Sequence, residues 1–183
     1  MKKSLMILLA LSTVSTAAAD SLGLSGAYLK GFYRVDGKNT DVDGSAAIGL
    51  SYTYDIGSAS AVRAELELLP NLYETKKLGF GGEFTYLRSV MTSDMTDVYL
   101  GGGLGLNTVS ETSQGVTVRA TAINPTLLVG ARFAVAPGFS AFAEFAGGPS
   151  FLRGSVGNGT ASVSTSLTGA FIKPRIGVAY NLR

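Results

Sequence analysis

The residues of this chain that could do chemistry are charges set inside regular alternating segments. Arg63, Glu65 and Glu67 recur at every second position of AVRAELELLP, and Glu83 follows in KLGFGGEFTYL. Arg132 and Glu144 come later, Lys173 and Arg175 share the last alternating segment, and Lys30 and Arg34 share the first. A spacing of two places side chains on one face of a strand, so these groups can converge. Two carboxylates brought together can run general acid–base chemistry, whereas carboxylates brought to guanidinium groups make ion pairs. The chain has no His and no Cys, which removes the side chain that titrates near neutrality and any thiolate nucleophile or metal site. Ion-pair networks also perturb titration without catalysing anything. The charges are therefore read as a structural network, and no catalytic, cofactor-binding or metal-ligating residue is expected.

The elements that must carry these charges are strands. In GSAAIGLSYTYDIG, Gly44 to Gly57, the set Ala46, Ile48, Leu50, Tyr52, Tyr54, Ile56 alternates with Ser45, Ala47, Gly49, Ser51, Thr53, Asp55. Strict alternation of this kind marks a strand with one apolar and one small, polar face. Seven more such segments follow the same rule: 21–35, 61–70, 77–87, 97–107, 123–133, 138–148 and 172–182. In the first, Ala27, Leu29, Gly31, Tyr33 and Val35 form the expected outward set, with Lys30, Phe32 and Arg34 inward, unless a bulge near Gly26 shifts the pattern. Pro125 and Pro174 lie inside strands, where a missing ladder donor is costly, and are expected to mark bulges. Connections around 57–60, 91–96 and 136–138 are short. The others are longer and polar, and Thr108 to Thr121 and Val156 to Ser166 carry the turn pairs Gln114-Gly115 and Asn158-Gly159. These two are read as hairpins that continue beyond the barrel rather than as low-complexity loops.

Volume decides which face is inside. Eight strands close into a barrel whose bore is just filled by its own side chains. The bulky apolar sets would not fit there, but the sets built from Gly, Ala, Ser, Thr, Asn and a few charges do. The apolar faces are therefore expected outside, against lipid, where a basic residue near the midplane would cost about 2–4 kcal/mol. Arg63, Glu65, Glu67 and Glu83 should then meet Lys173, Arg175, Lys30 and Arg34 across the bore, with Arg132 and Glu144 joining. The aromatics agree. Tyr52, Tyr54, Phe84, Tyr86, Phe133, Phe139 and Tyr180 gather at the short-turn ends of their strands, as a belt at a water–lipid boundary would. Tyr33, Phe80 and Tyr73 form a weaker belt at the other end.

The chain's start fits a secreted protein. Lys2 and Lys3 precede an apolar run from Leu5 to Val14, and Ala17-Ala18-Ala19 fits a cleavage site, so residues 1–19 read as a signal peptide and 20–183 as the barrel. Two of the 15 Lys+Arg leave with the leader, which balances the remaining basic side chains against 13 Asp+Glu. No basic stripe remains for nucleic acid. The charged fraction of 15% is low against about 25% in soluble domains, consistent with an antiparallel, up-and-down, eight-stranded transmembrane β-barrel.

Eight alternating segments, short inner turns and charged inward positions resemble the small outer-membrane barrel superfamily that includes the OmpA transmembrane domain and the OmpX/Ail type. The resemblance implies a place in the bacterial outer membrane with both termini periplasmic. It also implies contact with outer-membrane lipid and lipopolysaccharide-type glycolipid, and insertion by the barrel assembly machinery. A surface protein or host partner could meet the hairpins. The family usually ends in an aromatic residue, whereas GVAYNLR ends in Arg183. Barrel enzymes resembling phospholipase, lipid A acyltransferase, lipid A deacylase or omptin protease rely on His, so those mechanisms fail here. A non-enzymatic envelope protein presenting protruding hairpins is the leading reading. The alternatives are a small pore, for which the Gly-lined fifth strand leaves room, and a soluble lipocalin-like periplasmic binder.

Overall fold

The structure is a computed structural model that describes residues 20–35, 38–72, 77–158 and 162–182. The expected leader, Tyr73, Gly159 and Arg183 lie outside the described residues. The strands are β1 (Asp20–Val35), β2 (Lys38–Gly57), β3 (Ser60–Pro70), β4 (Leu78–Thr92), β5 (Thr96–Ser113), β6 (Val116–Ala136), β7 (Phe139–Gly157) and β8 (Ser162–Leu182). Each pairs antiparallel with the next, and β8 returns to β1, so the sheet is a closed ring. Closure leaves the sheet no open edge in lipid, where unpaired backbone donors and acceptors would be costly.

The alternation sets the two surfaces. Leu66, Leu127 and Ile176 are 71%, 74% and 70% exposed on the outside, while Glu65, Thr85 and Arg175 are at most 5% exposed in the bore. The core of this protein is thus its lumen, and its apolar surplus faces outward.

At one end of the barrel the connections β2 to β3, β4 to β5 and β6 to β7 span two or three residues, and at the other end β1 to β2 and β5 to β6 span only two, because the strands extend into segments expected to be longer connections. Between β6 and β7, Gly138 has φ 76°, a left-handed conformation that glycine adopts without a Cβ penalty. At the far end of the barrel Gln114 and Gly115 have φ 50° and 78°, the paired positive angles of a two-residue hairpin turn that follows strand twist. The β5–β6 hairpin is therefore continuous strand up to Ser113↔Val116.

Three sequence expectations need correction. The first strand presents the opposite face: Leu29 and Tyr33 are buried at 7% and 4%, Lys30 is part-exposed and Arg34 exposed. The phase is fixed at the start of β1, where Ser21 and Ser25 point in and Leu22 and Leu24 point out, and no bulge near Gly26 reverses it. Second, Pro125 and Pro174 do not make bulges. They sit opposite Leu104 and Phe145 in unbroken register. Instead the ladder on the other side is interrupted, between Ile123↔Phe151 and Leu127↔Gly147 for β6–β7, and between Ala27↔Arg175 and Lys30↔Ile172 for β1–β8. Third, the register shifts fall elsewhere, at Leu29/Gly31, Asp55/Gly57, Ser89/Met91 and Ala134/Ala136, most of them at the tight turns.

Candidate functional site

The bore is filled in layers. Toward the long hairpins, Leu29, Ala47, Leu69, Leu72, Val109 and Phe171 form an apolar plug. Beside it Tyr33 and Ser150 share a hydrogen bond of 2.9 Å, and Ser150 donates to Asn124 Oδ1 at 2.7 Å. The cavity these groups leave is about 10 Å³, at the lower limit for one water. Toward the short turns Leu87, Tyr99, Leu128 and Ala146 make a second apolar cluster.

Between them lies the charge layer. Arg63 on β3 donates to both oxygens of Glu144 on β7, at 2.5 and 3.1 Å. Arg175 on β8 reaches Glu144 at 2.8 Å, Glu65 at 3.0 Å, Glu83 at 3.2 Å and Glu67 at 3.4 Å. Lys173, two residues away on the same face, donates to Glu67 at 3.1 Å and also to Glu83. In a ring of eight, β3 faces β7 and β4 faces β8, so Arg63–Glu144 and Arg175–Glu83 are struts across the full width of the bore. Side-chain exposure in these bridges is 4% or less. Tyr99 donates to Glu144 at 2.7 Å and Ser25 to Glu65 at 2.6 Å. Charge-assisted bonds of this kind are about twice as strong as neutral ones, and a buried network of them stands or falls as a unit.

Small residues make room for it. A Cβ on Gly49 would lie 2.1 Å from Glu65 Oε1, and one on Gly177 2.4 Å from the Phe142 ring. The strand-five glycines do not open a path. A Cβ on Gly101 would meet Leu87 at 2.8 Å and Leu128 at 2.9 Å, so the neighbours' side chains already occupy that space.

Of the ten charges singled out in the sequence, the structure brings seven together: Arg63, Glu65, Glu67, Glu83, Glu144, Lys173 and Arg175. It leaves three apart. Lys30 lies outside, 3.5 Å from Asp41, and Arg34 is exposed, both because β1 has the opposite phase. Arg132 sits two residues below Gly130, the partner of Glu144, which puts it at the short-turn mouth opposite Asp97, with its guanidinium 5.9 Å over the Tyr99 ring. Residues the alternation did not single out complete the site. Leu69 and Phe171 are one alternation step beyond Glu67 and before Lys173, so extending the inward sets by two residues would have found the plug.

The seven aromatic side chains all point outward. Phe84, Tyr86, Phe133, Phe139 and Tyr180 are 41–59% exposed, Tyr52 and Tyr54 less so. Tyr54 and Tyr86 both sit opposite Val62, and Phe139 packs on Tyr180 with centroids 4.8 Å apart. Tyr52 and Phe84 lie one step higher, both opposite Ala64. At the other end Tyr28 and Phe80 are exposed, at 48% and 56%, while Tyr33 is inside.

A closed antiparallel barrel with a bulky apolar outside, aromatic girdles and a charged, plugged bore defines the class of small transmembrane β-barrels. The chain belongs to the outer membrane protein beta-barrel domain family, whose model matches residues 6–170. No curated protein matches it in sequence. Among solved structures it is similar to Neisserial surface protein A, with TM-score 0.62 and 17% identity over 91% of this chain and all of that one. The N-terminal β-barrel domain of Pseudomonas aeruginosa OprF gives 0.58 and 13% over 91% and 100%. OprG of the same organism gives 0.55 and 12% over 91% and 97%. At these identities the likeness is one of fold.

Proposed function

We propose that this protein is a non-enzymatic, non-conducting barrel of the bacterial outer membrane whose work is done by a sheet raised above the membrane on the outside of the cell. The observation that carries the reading is the unequal pairing of its strands. β5–β6, β6–β7 and β7–β8 remain paired up to Ser113↔Val116, Thr117↔Gly157 and Gly157↔Ser162. In contrast β4–β5 pairing ends at Phe80↔Thr108 and β1–β8 pairing at Tyr33↔Gly169. Four strands therefore continue past the barrel rim as one sheet, whose two edges, along 109–113 and along 162–168, pair with no further strand among the described residues. The second edge, SVSTSLT, contains no charge and no proline, the devices that usually blunt an edge. An extended segment of another surface protein can add to it by main-chain hydrogen bonds. This orientation puts the short turns and both termini in the periplasm.

The filled bore supports the rest of the reading. Each of the four buried carboxylates is bonded or ion-paired to Arg63, Lys173 or Arg175, so each is tied into the network that spans the bore. The same bridges tie opposite walls together and stiffen the barrel in the envelope.

The test is to replace residues 109–120 and 155–166 with two-residue turns and compare cells carrying the shortened and full-length proteins. Heat-modifiable migration should show both barrels folded. Adhesion of the cells to host-cell monolayers and to one another should fall only for the shortened form. Equal adhesion by both would remove the raised sheet from the function.

A further inference from the structure

We propose that Arg119 and Arg153 form a binding site for a phosphate group of the outer-leaflet glycolipid, on the outer wall of β6 and β7 just above the apolar belt. The inference rests on the membrane placement argued above and adds a site to it. Arg119 is opposite Ser155, and Arg153 is opposite Thr121. The two arginines are thus diagonal neighbours on one face, a spacing of about 7–8 Å and somewhat less between Cβ atoms, close enough for both guanidinium groups to close on one phosphate. Both are exposed, and no ion pair or side-chain hydrogen bond engages either among the described residues.

Their height is set by the strands. From Phe133 in the short-turn girdle to Ile123 is ten residues of β6. At about 3.3 Å per residue and a tilt of about 40° this climbs about 25 Å, the height of the apolar band. Thr121 and Arg119 come next. On β7 the apolar band ends at Phe151, 47% exposed, and Arg153 is the next outward residue. Ile123 and Phe151 face each other directly beneath the arginines, so acyl chains can pack below while the phosphate is held above.

The charge on this face is one-sided. Thr108 and Thr121 bond through their hydroxyls at 3.0 Å, as do Thr112 and Thr117, which fixes them on the same face as the arginines. Ser110 and Ser166 lie opposite Arg119 and Arg153, so hydroxyl donors flank both. The raised sheet has a single acidic residue, Glu111, which the alternation puts on the other face, 3.6 Å from Lys77. At the same rim on the β1–β2 wall, Lys30 is instead neutralised by Asp41 at 3.5 Å. A charge-assisted Arg–phosphate contact is strong and geometrically specific, and a site with two free guanidiniums, flanking hydroxyls and no carboxylate suits an anion.

The experiment uses the purified full-length barrel in detergent, titrated with bisphosphorylated lipid A and with its dephosphorylated form, bound lipid being counted by native mass spectrometry. The comparison is with R119Q/R153Q and with R88Q, which loses a charge from an outward arginine at the opposite rim. Heat-modifiable migration confirms that all three fold. The double variant should bind lipid A about thirty-fold more weakly, R88Q should match the wild type, and the dephosphorylated lipid should not distinguish the proteins. Equal binding by the double variant, or equal affinity of the wild type for the two lipids, would overturn the site. So would a soluble sulfated oligosaccharide that binds the wild type without lipid and loses that binding in the double variant, since the pair would then serve a glycan. A barrel that migrates as folded yet fails to enter lipid vesicles would overturn the membrane placement as well. One that enters vesicles but takes up no lipid A would overturn the site alone.

Discussion

Replacing Arg175 by methionine tests the charge layer where it is most connected. Arg175 lies within 2.8–3.4 Å of four carboxylates, those of Glu144, Glu65, Glu83 and Glu67, and is 2% exposed. The native layer holds four carboxylates against Arg63, Lys173 and Arg175, an excess of one negative charge; without Arg175 the excess is two. Methionine fills part of the volume but returns no charge. Losing one partner of a buried pair costs about 3–5 kcal/mol, because the charge left behind is uncompensated. With four anions affected, the upper end, about 5 kcal/mol, is the expected loss. The second limb of the test is E83Q, which removes one of the two carboxylates that Arg175 and Lys173 share. If the cost arises from uncompensated charge, R175M/E83Q restores the native excess and the two changes are coupled by about 2–3 kcal/mol. R34Q is the control: Arg34 is outside, and its loss should stay within about 0.5 kcal/mol. The assay is equilibrium urea unfolding in lipid vesicles, followed by far-UV circular dichroism and tyrosine fluorescence, the chain having no Trp. Additive effects of R175M and E83Q, or a loss below 1 kcal/mol for R175M, would refute the cross-lumen network.

Three further expectations use the same unfolding assay. L66R places a cation on the lipid face between the two girdles and should cost about 2–4 kcal/mol in vesicles. F171A empties the plug above the charge layer, where Phe171 is 3% exposed, and should cost about 3–5 kcal/mol. G103A should cost about 1–3 kcal/mol, because its Cβ would lie 2.1 Å from the Phe84 carbonyl oxygen, whereas G26A, with nothing within 4 Å, should be neutral to within about 0.5 kcal/mol.

Much of the barrel is legible in the sequence because a strand's period of two is strict. Once one residue is placed, its neighbours' faces follow until a bulge intervenes. For β2 to β8 the apolar sets are so much bulkier than their partners that the volume of the bore settles the phase. β1 shows where this fails. Between Gly26 and Val35 large residues occupy both phases, Leu29 and Tyr33 in one and Tyr28 and Phe32 in the other, so local volume does not decide. The phase is carried instead by Ser21, Gly23 and Ser25 at the strand's start. Lys30 and Arg34 followed that phase outward, and with them went two charges read as lumenal. Arg132 is a different case. Its face is legible, but its height is not, because alternation gives no coordinate along the barrel. Only the register, with Asp97 opposite Arg132 and Glu144 opposite Gly130, shows that one arginine lies below the layer it could have joined. The raised sheet was legible as two hairpins, through Gln114-Gly115 and the Ser/Thr alternation. That they share one four-stranded sheet depends on the long β6–β7 pairing, which sequence spacing does not encode.

The central claim is that bulky side chains meet lipid and the charges stay within the bore. The chain has no Cys, so single cysteines can be placed freely and spin-labelled. With the protein in vesicles, labels at Leu66, Leu104 and Ile176 should relax strongly with oxygen, which concentrates in lipid, and weakly with a water-soluble nickel chelate. A label at Thr126, which faces the bore, should be shielded from both. Strong relaxation of Leu66 and Ile176 by the nickel chelate, with Thr126 opened to oxygen, would contradict the account.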